Sequence, residues 1–164
     1  TNVVARLNQG LDIGGQPIGA PTAFHIGVAV NPSALDLDHE FRRFQYKVEA
    51  GAEFAVTQPI FDVRPLVVFL ERSGAKLPVL AAITPLESLR HAEFMANEVP
   101  GVYVPDEVVE RMRRAEAAGR AAEEGLAIAS EVVAGVRPHV QGIQISTAAG
   151  ALESALGIMK TLAA

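Results

Sequence analysis

The stretch Tyr46-Lys47-Val48-Glu49-Ala50-Gly51-Ala52-Glu53-Phe54-Ala55-Val56-Thr57-Gln58-Pro59-Ile60-Phe61-Asp62 decides the fold. The end of a helix runs into a turn at Gly51, and a short apolar strand follows from Phe54 to Thr57. Polar Gln58 and Asp62 then collect where that strand stops. A helix feeding a short apolar strand is the repeat of sheets built from parallel strands and crossover helices. In such folds ligands bind at the C-terminal ends of the strands, so Gln58 stands where chemistry is expected.

Working outward, the same alternation recurs. Residues Thr1 to Gln9 read as the tail of a helix, with Val3, Val4 and Leu7 at helical spacing. A turn-rich loop follows, punctuated by Gly10, Gly14, Gly15, Pro17, Gly19 and Pro21. A strand is expected at about Phe24 to Val30, closed by Asn31-Pro32. The next helix starts near Asp36 or Asp38 and places Phe41, Phe44 and Val48 on one stripe. Downstream of the decisive stretch, Asp62 suits the cap of a helix from Val63 to Arg72, which Gly74 ends. A third strand is expected at Val79 to Ile83. Helices then follow over Glu87 to Asn97, Pro105 to Ala118 and Ala121 to Val133. A fourth strand over Gly142 to Ser146 and a helix over Ala149 to Leu162 complete the chain.

The sum is four strands, each with its helix. Composition agrees: 49% of the 164 residues are hydrophobic but only 5% are aromatic, and there is no tryptophan. Such a core is built from Ala, Val, Leu and Ile, as parallel sheets require. The net charge of −5 argues against nucleic acid or an acidic membrane as main partner. Arg111, Arg113 and Arg114 stand among Glu107, Glu110 and Glu116, the pattern of a solvated helix face. With no cysteine there is no disulfide, thiolate metal site or cysteine nucleophile. That is compatible with a cytoplasmic protein. No apolar run approaches the roughly 18 residues of a membrane span. The four histidines show no ligand spacing, so no metal site is expected. Gly14-Gly15-x-x-x-Gly19 leads into a proline-rich loop rather than a helix and is no dinucleotide fingerprint.

The wording is specific as well as periodic. Lys47-Val48-Glu49-Ala50-Gly51-Ala52 followed by Thr57-Gln58-Pro59-x-Phe61-Asp62 resembles the methylenetetrahydrofolate reductase family, flavin-dependent enzymes on a parallel (βα)8 TIM barrel. Leu11-Asp12-x-Gly14-Gly15 through Pro21-Thr22-x-Phe24, with Gly27-Val28-x-Val30-Asn31-Pro32, is most similar to the branch fused behind a homocysteine methyltransferase. The resemblance implies FAD and NAD(P)H as cofactors, a folate substrate, and reduction of 5,10-methylenetetrahydrofolate to 5-methyltetrahydrofolate. It also implies roles. Lys47 would hold the phosphate–ribityl region of FAD, as a compact charge can; the bland alternative is a lysine snorkelling at a helix end. Glu40, two helical turns earlier, would bond the flavin's sugar hydroxyls, with Asp38 or His39 as substitutes. Asn31 occupies a flavin-side position where relatives often carry an aromatic, so its contact would be a hydrogen bond. Gln58 would meet the folate with both donor and acceptor. Leu89 falls where some relatives set a phenylalanine against substrate.

Four βα units are half of a barrel, which typically needs about 250 residues. The chain is therefore expected to be the C-terminal half of a longer barrel, residues 1–164 covering the last four units; a small open four-stranded domain is the alternative. The half-barrel alone should lack reductase activity. Its open edges should seek the N-terminal half-barrel or another copy of the chain, making a homo-oligomer expected. Two rival readings stand beside this: a non-enzymatic assembly subunit with an inherited pocket, and an unrelated barrel enzyme for a phosphorylated metabolite.

Overall fold

The computed structural model describes residues 1–74, 76–147 and 152–163. The chain begins with a short helix, α1 (Asn2–Asn8), and then alternates. Strand β1 (Gly27–Val30) leads to α2 (Leu37–Glu49), β2 (Phe54–Pro59) to α3 (Val63–Ser73), and β3 (Val79–Ile83) to α4 (Leu89–Asn97). Two further helices, α5 (Asp106–Ala117) and α6 (Ala121–Val136), precede β4 (Gly142–Ile145) and α7 (Leu152–Ala163). All three strand pairings are parallel, and the order in the sheet is β1-β2-β3-β4. The four expected βα units are present, with the architecture of a partial TIM barrel.

Local chemistry explains the boundaries. Asp36 caps α2 by accepting from His39 N at 2.8 Å, and Asp62 caps α3 by accepting from Arg64 N at 3.0 Å. Gly74, at φ 56°, closes α3 in the left-handed conformation. Ser88 rather than Glu87 caps α4, accepting from His91 N, so that helix starts at Leu89. The first strand is shorter than its expected 24–30 span. Phe24 N donates to Asn8 Oδ1 and Ile26 N to Glu53 Oε2, so side chains take the bonds a ladder would need. The expected start of the last helix at Ala149 lies outside the described residues.

The helices cover one face of the sheet. Val30, Ala55 and Val79 pack with Phe44 and Phe69, while Ala81 and Ile83 pack with Val132, Val133, Val136 and Ile158. A third cluster joins Phe61 and Leu86 to Met95, Val108, Met112 and Ile128 beneath α4, α5 and α6. Side chains alternate across a strand, so Ala29, Val56 and Leu80, paired in register, look the other way. That second face is the one a closed barrel turns inward.

Strand β2 pairs irregularly with β3. Val56 stands opposite Leu80 but Pro59 opposite Ala82, so three steps on β2 match two on β3. Pro59 has no N–H to give. The buried Thr57 hydroxyl accepts from Ala82 N at 2.9 Å, and Ile60 N returns to Ala82 O at 2.9 Å. Gln58 sits within this bulge, at the strand's C-terminal end.

Candidate functional site

The C-terminal ends of β1 and β2, with the side of α2 that faces them, line a cleft of about 300 Å³. Asn31, Glu40, Lys47 and Gln58 all line it, together with Asp36, His39 and Arg43. The seven-residue spacing of Glu40 and Lys47 puts both on the helix face that looks at the strand ends.

Each residue is held differently. Glu40 is buried, at 4% exposure. Its Oε1 accepts from Asn31 N at 3.0 Å and its Oε2 from Arg43 at 3.2 Å. It therefore ties the turn after β1 to the first half of α2, and its charge is met by Arg43. Lys47 Nζ donates to Ala29 O at 2.6 Å, which leaves two of its three donors for the cleft. Partial burial pushes the Lys47 ammonium below its usual 10.5; Glu40 opposes that shift and Arg43 adds to it. Asn31 Oδ1 accepts from Ser33 N at 3.1 Å in the turn that leaves β1. The Gln58 amide has no hydrogen-bond partner among the described residues.

Leu89 stands elsewhere. Its side chain packs against the cluster of Phe61, Leu86 and Met112, and its backbone N donates to Glu116 Oε2 at 3.2 Å. It does not line the cleft. Of the substitutes for Glu40, His39 is at the cleft, whereas Asp38 pairs with Arg72 at 2.8 Å. Arg43 went unread in the sequence, although its place three residues after Glu40 and four before Lys47 sets it on the same face. The four histidines do not converge: His25 stacks on Phe54 and pairs with Glu53 at 3.1 Å, and His91 Nδ1 faces Glu87 N at 3.4 Å. Among the described residues no helix is long and apolar enough to cross a membrane.

A cleft floored by strand ends and walled by the following helix is the ligand site of the βα-barrel class. Within that class the chain belongs to the methylenetetrahydrofolate reductase family, whose model matches residues 20–153. It is 28% identical over 88 residues to methylenetetrahydrofolate reductase 1 of Schizosaccharomyces pombe, a match covering 47% of this chain and 15% of that protein. Its fold is similar to that of an uncharacterized protein from Clostridium thermocellum that binds two copies of 5-methyl-5,6,7,8-tetrahydrofolic acid. The TM-score is 0.64 at 16% identity, covering 84% of this chain and 54% of that one. The chain thus spans about half of that solved structure and a smaller part of the yeast enzyme.

Proposed function

We propose that the protein carrying this chain reduces 5,10-methylenetetrahydrofolate to 5-methyltetrahydrofolate, using FAD and NAD(P)H, in the cytoplasm. One observation carries the reading: Asn31, Glu40, Lys47 and Gln58, which the family resemblance had singled out separately, line one cleft at the barrel rim. The residues suit a section of FAD. Lys47 and Arg43 bring two cations to the cleft, and the nearest carboxylate, Glu40, is already engaged by Asn31 N and Arg43. With Asp36 also at the cleft the charges balance overall, but Lys47 keeps two donors free and Arg43 stands beside it, so a diphosphate meets cationic donors there. The volume admits only part of so large a cofactor, so the remaining contacts come from outside these residues.

When bound, FAD supplies the passage of hydride from the nicotinamide to the folate. This chain's residues bind and orient. Lys47 holds the phosphate–ribityl section, Asn31 donates to it, and the unpartnered Gln58 amide meets the edge of the pterin. Edge strands β1 and β4 present open backbone to the other half-barrel or to a second copy of the chain. The chain alone is inactive, because hydride transfer fails when its partners are misplaced by an ångström.

The test is the visible spectrum of the full-length protein beside that of this chain. Flavin bands in the full-length protein, bleached by NADH or NADPH, support the proposal. A Lys47→Met variant should then lose FAD affinity, and Gln58→Ala should lower kcat/KM for methylenetetrahydrofolate while retaining flavin. A full-length protein that neither copurifies with FAD nor binds it when added ends the assignment.

A further inference from the structure

The carboxamide of Asn31 is hydrogen-bonded on one side and closely approached on the other by a distant part of the chain. Ser33 N donates to Asn31 Oδ1 at 3.1 Å. A backbone N–H can only donate, so the amide oxygen faces that turn and Nδ2 faces away from it. There Nδ2 meets the turn Val99-Pro100-Gly101-Val102 in the connection from α4 to α5. Val102 N donates to Val99 O at 3.3 Å, and Gly101 has φ 82°. Proline before a glycine of positive φ is the signature of a type II turn. A Cβ placed on Gly101 would lie 2.9 Å from Asn31 Nδ2, closer than a carbon and a nitrogen can sit without displacement. The turn cannot simply retreat, because Val99, Val102 and Val104 pack with Met95, Val108 and Met112.

We propose that Gly101 is a positioning residue for the cleft. Its bare backbone lets the Val99–Val102 turn seat against Asn31, and the seated turn aims the Nδ2 donor at an acceptor oxygen of the bound flavin. Ser33 takes one lone pair of the Asn31 oxygen, which orients the carboxamide so that Nδ2 is the group beside the turn. This inference rests on the flavin reading given above. It adds that the α4–α5 connection, a βα unit removed from the cleft, sets the geometry of the cleft's rim.

The test is FAD binding to full-length apo-protein, followed by flavin fluorescence, in wild type, Gly101→Ala, Asn31→Ala and the double variant. Overpacking of this kind should weaken binding about tenfold in Gly101→Ala. Asn31→Ala should lose a similar factor through the missing donor. The two act through one contact, so the double variant should bind no more weakly than Asn31→Ala alone. Melting temperatures of the four proteins separate this from strain in the turn, which persists in the double variant and moves stability rather than binding. Should Gly101→Ala fail to fold, Gly101→Asn makes the same steric test with a residue that tolerates positive φ. Wild-type affinity in Gly101→Ala, or additive losses in the double variant, would overturn the positioning role while leaving the flavin reading intact. Failure of the wild type itself to bind FAD would remove both.

Discussion

Replacing Thr57 by valine should expose how the bulge in β2 is held. Thr57 and Ala82 are 6% and 4% exposed, and the hydroxyl accepts from Ala82 N at 2.9 Å where the register shifts. Valine keeps the shape but removes the acceptor, leaving a buried N–H unpaired at a cost of about 1–3 kcal/mol. The added methyl recovers up to roughly 0.8 kcal/mol by burial. With full recovery the net loss is about 0.2–2.2 kcal/mol, centred near 1 kcal/mol. With a urea slope of roughly 2 kcal/mol per M, the midpoint should fall by about 0.5 M at unchanged slope. Thr57→Ser, which keeps the oxygen, should retain the Ala82 bond and lose less. Hydrogen exchange at the Ala82 amide should quicken in the valine variant and not in the serine variant. A valine variant as stable as wild type, or a serine variant as damaged as valine, would refute the assignment of the hydroxyl as a ladder acceptor.

Three further outcomes are expected. Gly125→Ala should destabilise by roughly 2–3 kcal/mol in thermal or urea unfolding despite alanine's better helix propensity, because its Cβ would fall 1.7 Å from Leu86 O and push α6 off the β3 loop. Lys47 is held below 10.5 by burial, so its charged form costs stability at all pH below the folded pKa; that cost fades as pH rises toward 10.5. A bound phosphate-bearing ligand should raise the Lys47 pKa again, which Nζ chemical shifts on titration would show. Bidentate hydrogen bonds from Arg111, at 2.6 and 2.8 Å, hold the Glu131 carboxyl below its usual 4.5. This contribution is present above pH 4.5 and lost as pH falls through the lower folded value; Glu131 is largely exposed, so Glu131→Gln should cost only about 0.5 kcal/mol at pH 7 and nothing in strong acid.

The parallel order and the cleft's position were legible because they rest on local pattern. The Lys47–Asp62 stretch writes out helix, turn, strand and strand end in sequence, and the Glu40–Lys47 spacing puts two polar groups on one helix face. Arg43 obeys the same spacing but was not read from it. What stayed hidden depends on partners far along the chain. The shortening of β1 follows from Asn8 and Glu53 reaching its approach. The bulge in β2 follows from Pro59 meeting Ala82 rather than from anything within β2 alone. Leu89 could be placed on a helix start, but only the packing of Phe61 and Met112 shows that it faces the core and not the cleft. Gly101 could be read as a turn glycine; its close approach to Asn31 could not.

Each strand of the sheet lies beside its neighbour in sequence, and this bears on how the molecule is made. Sequential pairing keeps the β1–β2 and β2–β3 closures short, whereas β4 reaches β3 only across α4, α5 and α6. On a ribosome, β1, α2 and β2 can come together before α4 has emerged, so Asn31, Glu40, Lys47 and Gln58 are within reach of one another early. The Val99–Val102 turn is synthesised later. The pocket is thus outlined by the first βαβ unit and given its final rim only when the third unit closes.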